Sequence, residues 1–230
     1  MAPAAEPSPE AAIFHAIRSG DQSRVESLLD TNPSAANATD AQGLSALTVA
    51  TYYGQANIVD LLLARGAKDD IFAATARGDR QAVENLLRDF PDLINSYSSD
   101  GWSALALAAH FGRLEIAQIL LDRGAEPNRV SQNLNTNTPL HAAVAGNQRE
   151  SVVLLLQHGA NVNATDAGGW TPLGLAAHEG RGPIIEILLA AGADPNKPNA
   201  QGDTPLMVAR ERDHQDAVAL LLSGGAAPTA

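Results

Sequence analysis

A small turn residue recurs seven times along this chain, and each copy is followed eight and nine positions later by a pair of leucines. The turn residues are Gly20, Gly54, Gly78, Gly112, Asn147, Gly180 and Asp213, and the leucine pairs run from Leu28-Leu29 to Leu221-Leu222. A Val, Ile or Ala five positions after each turn residue completes an apolar stripe at helical spacing. Self-similarity with a period of about 33 residues is typical of stacked helical units, because each unit covers the apolar face of its neighbour.

Each repeat carries start and stop signals for two short helices. A hydroxyl residue, in several cases followed by proline, is the expected N-cap of the first helix. These caps are Ser45, Ser103, Thr138, Thr171 and Thr204, and proline follows the last three. The second helix is predicted to end at a Gly-Ala dipeptide such as Gly124-Ala125, where glycine suits a left-handed C-cap. The pattern therefore predicts pairs of short helices separated by turns.

Residues 138–143 have the sequence Thr-Pro-Leu-His-Ala-Ala, which, with the period, resembles the signature of ankyrin repeats. The resemblance covers residue 9 to the end of the chain. It implies an all-α repeat solenoid in which stacked helix-turn-helix repeats are joined by short β-hairpin fingers. It also implies a concave face that binds other proteins.

The predicted organisation is an N-terminal tail over residues 1–8 and a single ankyrin repeat domain over residues 9–230. The approximate repeats are 9–39, 40–68, 69–97, 98–132, 133–165, 166–198 and 199–230. The third is shortened, because Gly54 and Gly78 are only 24 residues apart and leave no room for a finger. The fifth finger, residues 131–137, is two residues longer and has Thr136 in place of the usual glycine.

Two explanations fit the missing finger. Residues 71–74 copy residues 13–16 at an offset of 58, and Ser45 and Ser103 share that offset, which indicates a duplicated two-repeat block. The alternative is a functional gap through which a partner threads.

By the resemblance, the residue after each finger glycine and the two residues before each turn residue face the partner. Five of the nine aromatic residues fall in this class, and large amphipathic rings are common anchors of interfaces. The predicted partner-binding residues are Leu44, Tyr52, Tyr53, Trp102, His110, Phe111, Trp170, His178 and Glu179. The structural alternative is that each Trp packs on a neighbouring hairpin and that one residue of each helical pair belongs to the core.

Composition argues against several classes of function. The formal net charge is −11, which disfavours nucleic acid and anionic membranes as partners and favours a basic protein partner. The absence of cysteine excludes disulfides and thiolate chemistry. The six histidines show no metal-binding spacing, and no catalytic motif is present, so we expect no metal, no cofactor and no enzymatic activity. Without a signal-peptide pattern or a long apolar segment, a cytoplasmic location is expected. The chain is also expected to be a monomer.

The favoured function is a protein–protein interaction module, acting as an inhibitor, adaptor or scaffold, that binds a protein on its concave face and fingers. The alternative from another class is an accessory or chaperone-like partner that regulates an enzyme. An enzyme with a shallow groove is the third hypothesis, which turnover by the purified protein would support.

Overall fold

The computed structural model describes residues 9–228, so the predicted tail over residues 1–8 lies outside the described residues. The helices form consecutive pairs. They are α1 (Pro9–Ser19), α2 (Gln22–Thr31), α3 (Ala46–Tyr52), α4 (Ala56–Ala64), α5 (Ile71–Arg77), α6 (Arg80–Asp89), α7 (Ala104–His110), α8 (Leu114–Asp122), α9 (Pro139–Ala145), α10 (Arg149–Gln157), α11 (Pro172–His178), α12 (Gly182–Ala190), α13 (Pro205–Glu211) and α14 (Gln215–Ser223). Short 3₁₀ turns, Pro33–Asn37 and Pro91–Asn95, follow α2 and α6. The prediction of an all-α repeat fold is confirmed.

The described chain divides into two compact units. The N-terminal unit contains α1 to α6, up to Phe90, together with Ser98–Asp100. The C-terminal unit contains Pro91–Tyr97 and everything from Gly101 onwards, and so includes α7 to α14. The single repeat domain expected over residues 9–230 stays a prediction.

Helices form two rows within the C-terminal unit. The first helices of the repeats, α7, α9, α11 and α13, each pack on the next, and the second helices, α8, α10, α12 and α14, do the same. In the N-terminal unit α1, α3 and α5 form the equivalent first row. First helices are rich in alanine because they are covered on several sides, and residues 104–109 of α7 are all buried. Small side chains permit this close packing.

Helix boundaries follow the predicted local chemistry. The side chain of Ser103 accepts a hydrogen bond from Ala106 N at 3.2 Å, and that of Thr171 accepts one from Gly174 N at 3.0 Å. All seven turn residues have positive φ, including Asn147 at 56° and Asp213 at 58°. Asn and Asp are the side chains that best tolerate this left-handed conformation, which explains why they replace glycine there.

The leucine pairs are not buried in the same register throughout the chain. In α4 the first leucine, Leu62, is fully buried and Leu63 is partly exposed, whereas in α2 it is the second, Leu29, that is buried. The order in α6 matches that in α2. Both α2 and α6 have ten residues where α4 has nine, and both are followed by a 3₁₀ turn.

Adjacent repeats are linked by a series of bridging asparagines. Each donates from its side-chain Nδ2 to the carbonyl of the glycine that follows the next second helix, and accepts at Oδ1 from a backbone N–H two residues beyond that glycine. The five pairs are Asn37 with Gly66 and Lys68, Asn95 with Gly124 and Glu126, Asn128 with Gly159 and Asn161, Asn163 with Gly192 and Asp194, and Asn196 with Gly225 and Ala227. Every bridge satisfies two loop groups that a helix end leaves unpaired.

The fingers are tight turns rather than extended hairpins. Isolated antiparallel bridges join Thr39 to Ser45 and Tyr97 to Ser103. In the fifth finger Ser131 N donates to Asn137 O at 2.8 Å, and Thr136 has the left-handed φ of 51° that glycine supplies elsewhere. A β-branched residue in this conformation is strained.

The third repeat lacks a finger, as its length predicts. Helix α4 ends at Ala64 and α5 begins at Ile71. Asp70 caps α5 by accepting from the backbone N–H groups of Phe72 and Ala73, at 2.9 and 2.8 Å. Asp69 forms an ion pair with Arg77, whose guanidinium also contacts Asp79 at 3.1 Å. The adjacent carboxylates therefore have structural partners.

Candidate functional site

The three predicted site residues of the N-terminal unit differ in accessibility. Leu44 is half-buried and packs against the apolar core of that unit. Tyr53 is 54% exposed, at the end of α3. Tyr52 is half-buried, and burial raises the pKa of its hydroxyl above the ordinary range, with the nearby carboxylates of Asp100 and Asp70 acting in the same direction. Tyr53 is therefore the ring of this group that a partner can reach most easily.

In the C-terminal unit, Trp170 is held by its backbone. Its N–H donates to Asp166 Oδ1 at 2.8 Å, and its carbonyl accepts from Asp166 N at 3.1 Å. The same carbonyl contacts His141 Nε2 at 3.0 Å. Asp166 in the same finger and His141 in the preceding repeat therefore fix the backbone position from which the indole projects.

The indole of Trp170 lies over two glycines. A Cβ atom on Gly168 would approach Trp170 Cδ1 to 2.8 Å, and one on Gly174 would approach Cε3 to 3.3 Å. The ring also meets the imidazole of His178 edge to face, with centroids 5.5 Å apart and an interplanar angle of 78°. Trp170 is half-buried as a residue, so this oriented apolar surface is partly accessible to solvent.

His178 and Glu179 extend this surface beyond the end of α11. His178 Nδ1 lies 3.6 Å from Glu179 Oε1, and Glu179 Oε2 accepts from Arg181 at 3.3 Å. The carbonyl of His178 contacts His214 Nε2 at 3.1 Å. The carboxylate of Glu179 is partly exposed next to the rings, where it is paired with the guanidinium of Arg181.

His110 and Phe111 form a second ring pair at the end of α7. Their rings are 5.0 Å apart and nearly perpendicular. His110 Nδ1 lies 3.3 Å from the carbonyl of Ala142 on α9. Gly146, at the end of α9, has no room for a side chain, because a Cβ there would come within 2.0 Å of His110 O. Close packing of α7 and α9 therefore requires glycine at this position.

Trp102 is half-buried and follows Gly101, the glycine of its finger. Gln132 N donates to Gly101 O at 2.8 Å, and a Cβ on Gly101 would lie 2.7 Å from Asn133 N. The finger that carries Trp102 is therefore pressed against the next finger.

The structure brings Trp170, His178 and Glu179 into one group and pairs His110 with Phe111. His214 and Arg181 support the first group and were not predicted as site residues from the sequence. A signal for His214 exists, because the residue after a turn residue packs against the turn glycine of the preceding repeat. Gln148 approaches Gly112 in this way, and His214 approaches Gly180.

The described residues show neither a metal centre nor a membrane span. His, Asp and Glu side chains of this part of the chain do not gather in groups of three or more that could hold an ion. Between residues 9 and 228, no helix is both long enough and apolar enough to cross a bilayer.

Comparison with known proteins identifies the repeat. A family model described as ankyrin repeats, in three copies, matches residues 4–73, 71–166 and 161–230. The Neurogenic locus Notch protein of Drosophila melanogaster is 41% identical over 98 residues, which are 42% of this chain and 4% of that protein. The E3 ubiquitin-protein ligase XB3 of Oryza sativa subsp. japonica is 37% identical over 103 residues, covering 44% of this chain and 22% of the ligase.

A third relative aligns over more of the chain. An ankyrin repeat protein of fowlpox virus (strain NVSL) is 30% identical over 167 residues, which are 68% of this chain and 37% of the viral protein. The chain spans well under half the length of each of these three relatives. The resemblance to ankyrin repeats expected from the sequence is confirmed by the family match.

Proposed function

Because the chain belongs to the ankyrin repeat family, whose members generally mediate protein–protein interactions, we propose that it binds a protein partner as an inhibitor, adaptor or scaffold. The proposed contact surface of the C-terminal unit, here the ring surface, consists of Trp102, His110, Phe111, Trp170, His178 and Glu179. In the N-terminal unit Leu44, Tyr52 and Tyr53 are the proposed contacts, with Tyr53 the most accessible.

One observation carries this proposal more than any other: the indole of Trp170 is both oriented and accessible. Its backbone is held by Asp166 and His141, and its ring is supported by two glycines and His178. A side chain that is already ordered loses little conformational entropy on binding, so more of its contact energy appears as affinity. Oriented tryptophans are frequent hot spots of protein interfaces.

The proposed partner is basic around the point of contact. This proposal is supported by the formal net charge of the chain, which is −11. Complementary charge accelerates association and makes it sensitive to salt. Binding that weakens as ionic strength rises is therefore expected for this partner.

The first prediction concerns the tryptophans. We expect Trp102→Ala and Trp170→Ala each to weaken capture of the partner by roughly 2 kcal/mol, or about 30-fold, because each removes an anchor of the interface. The measurement is recovery of the partner from a lysate on immobilised protein, followed by titration of the identified partner. Circular dichroism of each variant should show an unchanged helix content.

Phe90→Ala is the matched control, since Phe90 is an exposed ring outside the proposed surface. Partner affinity should be unchanged in this variant. Loss of affinity that only parallels a fall in the melting temperature of the tryptophan variants would show that their rings are structural. A captured enzyme whose rate changes on addition of this chain would support the regulatory-partner alternative.

A further inference from the structure

We propose that the fifth finger of one copy of this chain docks into a groove between α8 and α10 of a second copy. The finger, residues 131–137, presents Leu134 at its tip. The groove, here the outer groove, is lined by Leu114, Gln118, Arg149, Glu150, Val153, Leu154 and Gln157. Both features belong to the C-terminal unit.

The tip of the finger is a rigid apolar projection. Leu134 is 95% exposed, so almost its whole side chain is available for contact. The turn around it is hydrogen-bonded, because Asn133 Oδ1 accepts from Ser131 Oγ at 2.9 Å and from Asn135 N at 3.1 Å. Asn135 O in turn accepts from Ala167 N of the next finger at 3.0 Å. The leucine is therefore presented by a backbone that is already ordered.

The outer groove has the complementary character. It has a volume of about 440 Å³, and its walls include Leu114, which is 41% exposed, and Val153, which is 36% exposed. The buried side chain of Leu154 contributes to the apolar lining. Gln118 and Gln157 supply amides that can bond the polar tip of a finger. An exposed leucine side chain matches the apolar lining of this groove in chemistry.

Charge favours a second copy of this chain as the occupant. A net charge of −11 makes copies repel each other, so contact between copies is least unfavourable where it brings no like charges together. Residues 130–148, which include the whole finger, contain no Asp, Glu, Lys or Arg. The outer groove carries one Arg and one Glu, which balance. A finger in this groove therefore adds no like-charge contact to the general repulsion between copies, whereas a strongly basic partner would gain nothing from either surface.

The expected association is weak. One finger in one groove buries far less than the roughly 1,600 Å² of a standard interface, so the complex is transient. The sequence alone led us to expect a monomer. Self-association at high concentration would show that this expectation does not hold there. The contact is heterologous, since finger and groove are different surfaces.

Sedimentation velocity of the full chain tests the proposal. The weight-average sedimentation coefficient should rise with concentration between about 10 μM and about 1 mM, the range of weak interfaces. Leu134→Asp and Val153→Asp should each weaken association roughly 10-fold to 100-fold, because burial of the leucine is lost or opposed by a charge. The control is Met207→Asp, which removes a similarly exposed apolar side chain and adds the same charge on α13.

Mixing the two variants distinguishes this geometry from other contacts. Leu134→Asp keeps an intact groove and Val153→Asp keeps an intact finger, so the mixture should associate although neither variant does so alone. Circular dichroism should show that both variants are folded. A wild-type chain that stays monomeric at about 1 mM, or a mixture of folded variants that stays monomeric, would overturn the proposal and leave the groove to a different protein.

Discussion

At the scale of single residues, His141 shows how a repeat signature residue supports the candidate site. Burial lowers the pKa of its imidazole below 6.5, so it is neutral at physiological pH. The carbonyl of Trp170 can only accept, so Nε2 carries the proton and donates to it, which leaves Nδ1 to accept from Thr138 Oγ1 at 2.8 Å. Protonation would remove that acceptor and place a charge in the core.

The second prediction follows from this lowered pKa. As pH falls below about 6.5, the unfolded chain binds a proton at His141 that the folded chain does not bind, so the stabilisation present above that pH is lost progressively. We expect the free energy of unfolding, measured by urea denaturation, to decrease between about pH 7.5 and about pH 5.5. The decrease should be smaller in His141→Gln than in the wild type. It should be retained in His15→Gln, because His15 is exposed. Equal decreases in all three proteins would contradict the assignment.

The third prediction concerns the leucine pairs. We expect Leu29→Ala and Leu62→Ala to lower the free energy of unfolding by about 2–5 kcal/mol, because each leaves a cavity in the core. Leu28→Ala and Leu63→Ala, at partly exposed positions, should cost at least about 1 kcal/mol less. Leu120→Ala belongs with the larger losses, since Leu120 is fully buried. Chemical denaturation measures all five. If replacing the first leucine costs more stability than replacing the second in both pairs, the assignment of Leu29 as the buried leucine of α2 is wrong.

At the scale of structural elements, the bridging asparagines connect loops that helix packing alone leaves free. Asn128 donates to Gly159 O at 3.0 Å and accepts from Asn161 N at 2.7 Å. An asparagine is the shortest side chain that carries a donor and an acceptor on one planar group, which suits two adjacent backbone groups. These hydrogen bonds explain why asparagine recurs in the loops, which the spacing of the apolar residues alone does not explain.

The fourth prediction tests one bridge. We expect Asn128→Ala to lower the free energy of unfolding by about 1–3 kcal/mol, because two loop groups lose their partner. Asn128→Asp keeps the acceptor for Asn161 N but loses the donor to Gly159 O, so its cost should lie between those of the wild type and the alanine variant. Thermal and urea unfolding give both values. An aspartate variant that is no more stable than the alanine variant would show that repulsion between its carboxylate and Gly159 O cancels the accepted bond.

At the scale of the whole molecule, charge acts on stability as well as on partner choice. The net charge of −11 adds repulsion among carboxylates in the folded chain, and dissolved salt screens such repulsion over about 10 Å at 0.1 M. The fifth prediction is that the melting temperature rises between about 0.02 M and about 0.3 M sodium chloride. Sodium chloride is a suitable probe because sulfate would also strengthen apolar burial. A melting temperature that falls over this range would show that ion pairs such as Arg77 with Asp69 and Asp79 outweigh the general repulsion.

Local signals predicted much of the fold and part of the candidate site. The caps at Ser103 and Thr171 and the left-handed turns at Asn147 and Asp213 depend on a few neighbouring residues, so they could be identified in advance. The missing finger followed from chain length. The environment of Tyr52 could not be predicted, because its carboxylate neighbours come from other loops.

By itself, the sequence determined the repeat, the helix ends, the sign of the net charge and the positions of the aromatic rings, because these depend on composition and on short-range chemistry. Only the tertiary structure decided which leucine of each pair is buried, that Trp170 lies over glycines beside His178, and that Leu134 stands free while Leu114 and Val153 line a groove. These properties depend on which residues of neighbouring repeats meet in space, and a repeating pattern specifies that neighbours exist without specifying the register in which their side chains meet.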